Sequence, residues 1–258
     1  MLRELVVLKL GGSLITVKDK PFTLRREVIE RIGRELASTG KPLVIVHGGG
    51  SYAHPVAKKY RVSEGMGGGG GLGGFVETSL AVRRLNLEVV EALSRGGLPS
   101  VGIPASSIAI TKDGRVSTFN LEPILSSLEI GLTPVTCGDV VLDRVRGFTV
   151  LSGDTTAAYI ASRLRASRLI YAIDRDGVYV RDRVTGEVRV AETLSPGMPI
   201  EPMGALGEDV TGGIVGKVEE GLRAAERGVE VWVVNGLREG VLAEAVRGGR
   251  VRGTRLKP

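Results

Sequence analysis

The sequence predicts an α/β protein in which a mostly parallel sheet is covered by helices on both faces. Short β-branched apolar runs alternate with amphipathic helical patterns along the whole chain, as strands buried on both faces do. Glycine makes up 38 of the 258 residues, and outside one run at 65–74 the glycines gather where an apolar run ends and a helical pattern begins. No linker-like segment interrupts the alternation, so one domain over 1–258 is expected.

The first apolar run, LVVLKLGGS at 5–13, reads as a buried strand entering a turn. TLRREVIERIGRELASTG at 23–40 follows as an amphipathic helix with Thr23 as N-cap and Gly40 at its end. PLVIVHGGG is a second strand, SYAHPVAKKY a short helix, and residues 75–97 a long helix. Between those helices GMGGGGGLGG offers little apolar surface and loses much entropy on ordering, which predicts a disordered surface insertion rather than a lid. LPSVGIP is a strand, 107–119 a hairpin around Asp113–Gly114, and LEPILSSLEIG a helix. LTPVTCGDVVLD and GFTVLSG are strands, DTTAAYIASRLRA a helix, and SRLIYAID another buried strand. A second hairpin covers 177–192, and the chain closes with helix 214–228, strand 229–236, helix 238–249 and strand 251–256.

Composition narrows the function classes. One cysteine, Cys137, cannot form an internal disulfide, and no cysteine–histidine cluster has metal-ligand spacing, so no protein-held metal is expected. The net charge of +6 is spread over 35 basic and 29 acidic residues with little aromatic interleaving, which points to small anionic ligands and not to nucleic acid. The basic tail RGGRVRGTRLKP reads as a solvated last strand. No run approaches the roughly 20 apolar residues of a membrane span and no signal sequence is visible, so a cytoplasmic protein without membrane association is expected. Glutamine is absent and asparagine occurs three times, the amide depletion of a thermophile protein.

In such sheets ligands bind beyond the carboxyl ends of the strands, where the glycine turns fall. GGIVGKV lacks Walker A spacing and has Val218 in place of the hydroxyl. GGGSYA fits GxGxxA after a strand but lacks the next strand and terminal acid of a dinucleotide site, and DRDG lacks the remaining ligands of a calcium loop. What remains is lysine at glycine turns. Only nine of the basic residues are lysines, yet Lys9 precedes Gly11–Gly12–Ser13, Lys18 follows in the next loop, and Lys217 follows Gly213 at the start of a helix. A compact mobile ammonium can follow a phosphoryl group as it moves, and amides freed at glycine turns complete an anion cradle. Both histidines, His47 and His54, flank Gly48, Gly49 and Gly50. His54, within the short helix, suits an anion held on those amides; His47, at the end of a buried strand, reads as structural.

KLGGS, HGGGS, SGDTTAAYIA, DRDGVY and DVTGGIVGKV, in that order over nearly the whole chain, resemble the motifs of the amino acid kinase family. The resemblance implies an open eight-stranded αβα three-layer sandwich, usually a homodimer, with the acceptor in the lobe 1–145 and the nucleotide in the lobe 146–258. Within the family, a histidine just after the glycine–serine turn, in GGGSYAHPVA, is similar to members whose acceptor is isopentenyl phosphate, with LEPI, GDVVLD and GFTVLSGD agreeing. That implies transfer of the γ-phosphoryl group of ATP to an isoprenoid monophosphate, with Mg2+ bridging the nucleotide phosphates mainly through water. Lys9, Lys217, Asp154 and His54 are then expected in catalysis, Asp154 orienting the two lysines or capping its helix. Gly48, Gly49, Gly50, His54 and Gly153 are expected on the acceptor phosphate. The nucleotide is expected on Lys9, Gly11, Gly12, Ser13, Lys18, Asp174, Asp176, Gly177, Tyr179, Thr211, Gly212, Gly213 and Lys217, with Asp209 behind them; Tyr179 can equally face the core. Phe75, Val76 and Leu80 are the candidates for the hydrocarbon tail. A kinase of the same fold acting on another phosphate or phosphonate, of the fosfomycin-resistance or nucleoside monophosphate type, shares these features. A nucleotide-binding sensor or storage protein is the reading from another class.

Overall fold

The computed structural model describes residues 4–182, 185–201 and 213–258. Its elements run β1 (Val6–Leu10), α1 (Gly12–Ile15), α2 (Arg26–Ala37), β2 (Leu43–His47), α3 (Gly50–Lys59), α4 (Gly71–Arg95), β3 (Ser100–Gly102), α5 (Ala105–Ile108), β4 (Ala109–Lys112), β5 (Arg115–Phe119), α6 (Glu122–Glu129), β6 (Thr133–Cys137), β7 (Asp139–Asp143), β8 (Gly147–Leu151), α7 (Gly153–Arg163), β9 (Arg168–Ile173), β10 (Tyr179–Arg181), β11 (Val188–Val190), β12 (Thr193–Leu194), α8 (Gly213–Ala225), β13 (Glu230–Asn235), α9 (Val241–Arg247) and β14 (Gly253–Leu256). An eight-stranded sheet in the order β12-β14-β13-β9-β1-β2-β6-β3 forms the middle layer. Every pairing in it is parallel except β13 with β14. Val7 packs on one face with Ile124 of α6, Ala157 and Ile160 of α7 and Val218 of α8. Leu8 packs on the other with Ile29 of α2, Leu85 and Val89 of α4 and Leu242 of α9. Alternation along VVLKL divides the strand between the two helical layers, and the expected αβα sandwich results.

Local choices differ from expectation at three places, each because tertiary contacts outweigh local preference. Thr23 is not the N-cap of α2: Leu24 bridges Thr16 in antiparallel fashion and the Arg25 amide donates to the Ile15 carbonyl, so the chain stays extended until Arg26. LTPVTCGDVVLD is two strands, since the chain leaves the main sheet at Gly138, after β6, and β7 enters a second, four-stranded sheet of order β5-β4-β7-β8. The Gly138 amide donates to the His47 carbonyl at the break.

The glycine run 65–74 is folded, not a disordered insertion. Val62–Gly67 forms a 3-10 segment broken at Gly65, and α4 begins at Gly71. Gly70 and Gly74 lie against Tyr60 so closely that neither has room for a Cβ. Gly65 has φ +76° and ψ −153°, a region only glycine enters readily, and its Cα faces the carbonyls of Arg146 and Phe148. The Met66 amide donates to the Arg146 carbonyl, tying the segment to the β7–β8 hairpin. Gly65→Ala is therefore expected to cost on the order of 2–4 kcal/mol of stability, from backbone strain plus overpacking. Gly67→Ala, with nothing within 4 Å of the added methyl, should change stability by less than about 0.5 kcal/mol. Urea denaturation of both variants checks this; equal midpoints would mean that the Gly65 contact is not formed.

His47, fully buried at the end of β2, has the structural place expected of it. Its Nδ1 donates to the Gly48 carbonyl at 2.9 Å, and Nε2 accepts from Asn86 Nδ2 at 3.0 Å. Asn86 Nδ2 also donates to the Val135 carbonyl, which fixes the amide orientation. Both ring contacts are satisfied by a neutral imidazole only, and burial holds its pKa down at about 4. The unfolded chain takes up this proton near pH 6.5 while the native protein does so only near 4. Stability from this group is thus present above pH 6.5 and lost on acidification from 6.5 towards 4, by about 3 kcal/mol. Urea midpoints should fall between pH 7 and pH 4.5 by more in the wild type than in His47→Gln; parallel falls would contradict the assignment.

Candidate active site

Strands β1, β2 and β9 lie in parallel register, with Leu10 beside His47 on one side and Ala172 on the other, so their carboxyl ends open onto one edge. The turns that follow them, together with α3, α7 and the start of α8, surround a cleft of about 970 Å³. Two glycine turns meet at its base. A Cβ on Gly12 would lie 2.8 Å from the Gly50 backbone, so this approach admits only glycine there. Thr16 locks the pair, its Oγ1 donating to the Gly12 carbonyl at 2.8 Å and accepting from the Ser51 amide at 3.0 Å.

The charged centre lies on the floor. Lys9 is the fourth residue of β1 and shares the face of Val7, which carries it towards the first turn of α7. There its Nζ is 2.9 Å from Asp154 Oδ1, and Lys217 Nζ, one turn into α8, is 2.7 Å from the same oxygen. All three side chains are buried. Burial alone would raise the Asp154 carboxyl, but Lys217 and Lys9 outweigh it and hold the pKa at about 2. Burial, reinforced by Lys9 and opposed by Asp154, lowers the Lys217 ammonium to about 8. The Lys217 ammonium also lies 5.1 Å from the ring centroid of Tyr171, whose hydroxyl donates to the Asp154 carbonyl at 3.3 Å. Asp154 is not the helix cap: that place belongs to Ser152, whose side chain accepts from the Asp154 amide. The carboxylate is thereby left to the lysines.

His54 lines the cleft from α3, its ring against Gly49, where an added Cβ would sit 3.0 Å from His54 Cδ2 and 3.4 Å from Nε2. Gly48, Gly49, Gly50 and Gly153 line the same space, as do Gly11, Gly12, Ser13, Lys18, Asp174, Gly177, Tyr179 and Gly213. Asp176 does not: its carboxylate accepts from Asn235 and Arg238 and pairs with Arg252, cross-linking three loops behind the cleft. Phe75, Val76 and Leu80 also lie elsewhere. Phe75 packs against Phe148 with the rings tilted by 56°, while Val76 and Leu80 are half exposed on the outer side of α4. The apolar wall beside His54 is built instead from Ala53, Ala57, Val82, Val140 and Val150. Thr211, Gly212 and Asp209 fall outside the described residues.

Two lysines on one buried carboxylate, beside the glycine turns that follow β1 and β2, can hold a phosphoryl group between two anions. The sequence pattern of the amino acid kinase family matches residues 4–235. The chain belongs to the amino acid kinase family. Among its relatives, an isopentenyl phosphate kinase from Methanothermobacter thermautotrophicus is 38% identical, with 98% of each chain covered. A second isopentenyl phosphate kinase, from Methanocaldococcus jannaschii, is 31% identical over 98% of each chain. A solved structure of an isopentenyl phosphate kinase superposes with a TM-score of 0.85 at 36% identity, covering 98% of this chain and all of the other.

Three residues at the cleft or directly beneath its charged centre, Ser51, Lys58 and Tyr171, were not anticipated from the sequence. Ser51 is buried in the first turn of α3, lines the cleft, and has a hydroxyl without a partner in the described structure. Lys58 lines the cleft one helical turn beyond His54, and that i, i+4 spacing was a legible signal. Tyr171 carried none, since in SRLIYAID it reads as one more core residue. Among the described residues no group of three or more His, Cys, Asp or Glu side chains gathers to hold a metal, and the inner Asp154 oxygen is already bound to two ammonium groups. A divalent ion here fits as nucleotide-bound, with Asp174 the exposed carboxylate at that end of the cleft. Among the described residues no helix is long and apolar enough to cross a membrane.

Proposed function

We propose that this protein transfers the γ-phosphoryl group of ATP to isopentenyl phosphate, giving isopentenyl diphosphate and ADP for isoprenoid biosynthesis. The observation that carries the reading is the Lys9–Asp154–Lys217 cluster on the cleft floor, beside the two glycine turns. A phosphate acceptor, with a second pKa of roughly 6, is already ionised at pH 7, so no general base is needed. An acceptor oxygen forms its bond to the γ-phosphorus as the bond to the β,γ-bridging oxygen breaks, and ADP leaves with that electron pair. The difficulty is repulsion between anions. Lys9 and Lys217 spread positive charge over the transferring group, and Asp154 keeps their tips together in a buried site where each contact counts for more. His54, Ser51 and the amides of Gly48, Gly49 and Gly50 hold the acceptor phosphate in the lobe 1–145, Gly153 closing its inner side. Lys18 and the turn Gly11–Gly12–Ser13 from the lobe 1–145 hold the nucleotide against Asp174, Gly177, Tyr179 and Gly213 of the lobe 146–258, and Mg2+ carried by the nucleotide would supply further charge neutralisation. The family resemblance supports a homodimer, and Leu72, Val76, Leu80 and Leu87, exposed along one stripe of α4, are the apolar surface it has to bury.

The test is ADP release with isopentenyl phosphate, fosfomycin and a nucleoside monophosphate as acceptors, with the product identified by phosphorus NMR. Efficient ADP formation with isopentenyl phosphate is expected. Turnover restricted to one of the others would reassign the acceptor, and ATP binding without ADP release from any of them would make the protein a sensor.

A further inference from the structure

Beside the apolar wall near His54 the cleft is also lined by buried polar residues that do not suit a hydrocarbon. Thr78, on α4 between α3 and β7, lines the cleft and is 2% exposed, yet its Oγ1 has no hydrogen-bond partner in the described structure. A threonine inside a helix usually returns its hydroxyl to the carbonyl four residues earlier; here that bond, to Gly74, is not made. A buried hydroxyl without a partner is unfavourable, and valine would fill the same volume without that cost. Asp139, at the start of β7, lines the same cleft and is also buried. Its two oxygens accept from the amides of Val140 and Ser106, which leaves further lone pairs on each. A hydrocarbon tail leaves Thr78 unpartnered, whereas an oxygen on the tail gives it a partner.

Building on the proposed kinase reading, we propose that the cleft takes a second class of acceptor, short branched alkyl monophosphates bearing a hydroxyl on the chain, and that Thr78 recognises that hydroxyl. The transfer step is the one already described, with the phosphate oxygen forming the new bond and ADP leaving; the chain hydroxyl takes part in binding only. Specificity then comes from a site built to pair an oxygen, which discriminates more sharply than one missing methylene in an apolar pocket.

The experiment compares isopentenyl phosphate with 3-hydroxy-3-methylbutyl phosphate, which has the same carbon skeleton with water added across the double bond. Both acceptors are assayed by ADP release in the wild type, Thr78→Val and Thr78→Ser, with thermal unfolding to verify folding. The wild type should turn over both. The ratio of kcat/KM for the hydroxylated acceptor to that for the alkene should fall at least tenfold in Thr78→Val and stay within about threefold in Thr78→Ser, a tenfold change being about 1.4 kcal/mol. The same ratio in all three proteins, or wild-type turnover of isopentenyl phosphate alone, overturns the proposal and leaves the kinase reading standing. Turnover of neither acceptor overturns both. If Thr78→Val does not fold, the wild-type comparison and Thr78→Ser decide: no turnover of the hydroxylated acceptor, or a ratio changed more than threefold by serine, sinks the idea.

Discussion

Replacing Lys217 by methionine is expected to lower kcat about a hundredfold or more while leaving thermal stability unchanged or slightly raised. The two effects separate because the residue contributes unequally to folding and to catalysis. In the folded protein its ammonium is buried, and its pKa is lowered to about 8, so burial disfavours the charge even with Asp154 beside it. Methionine fills the volume of the stem and removes that penalty, and Asp154 retains Lys9 at 2.9 Å, so no carboxylate is left unpaired. Catalysis loses one of the two cations placed on the transferring group, a change of the size seen when a preorganised charge-stabilising donor is deleted. Asp154→Ala is expected to behave differently, since it leaves two ammonium groups buried without a counter-charge and should cost about 3–5 kcal/mol of stability. Steady-state kinetics with thermal unfolding on both variants checks the pair. A Lys217→Met enzyme with wild-type turnover would remove the charge clamp from the mechanism. The proton linkage offers a further check: the unfolded chain holds the Lys217 proton up to about pH 10.5 and the native protein only to about pH 8. Wild-type stability from this group therefore rises between pH 8 and 10.5, and Lys217→Met should lack that rise.

Lys9, Asp154 and Lys217 were legible because charged residues at glycine turns following buried strands have few reasons to be there other than a ligand. Their meeting depended on topology, since 63 residues separate Asp154 from Lys217, and it is reached by bringing the turn after β8 of the second sheet, and with it Asp154, beside the carboxyl end of β1 in the first, and with it Lys9. Legibility stopped where local preference and tertiary contact disagree. Thr23 has the chemistry of a cap, but a bridge between Thr16 and Leu24 holds its neighbours extended. The glycine run reads as disorder by composition, yet its glycines are what allow the chain to press against Tyr60 and Arg146. Asp176 sits in a motif otherwise directed at the cleft, and is drawn away by Arg238 and Arg252 from loops distant in sequence. Ser51 and Thr78 are ordinary helical residues by sequence, and become informative only when their hydroxyls are found buried and unpaired.

His54→Ala is expected to lower kcat/KM for the acceptor by roughly tenfold to two-hundredfold while leaving ATP binding unchanged. The side chain lines the cleft from α3, with its ring against Gly49. It can therefore reach a phosphate held on the Gly48–Gly50 amides, and a hydrogen bond to a charged partner is worth about 1.5–3 kcal/mol, which is that range of fold-change. Either ring nitrogen can donate in the neutral or the cationic form, so activity should not collapse as the imidazole loses its proton. Glutamine, whose amide also donates, should recover part of the loss, and that partial rescue separates a phosphate contact from a packing role. Kinetics with each substrate varied in turn, together with nucleotide binding in the absence of acceptor, make the distinction. A defect confined to ATP binding, or an alanine variant with normal acceptor dependence, would make His54 a structural residue of α3 and pass the acceptor phosphate to Ser51, Lys58 and the glycine amides alone.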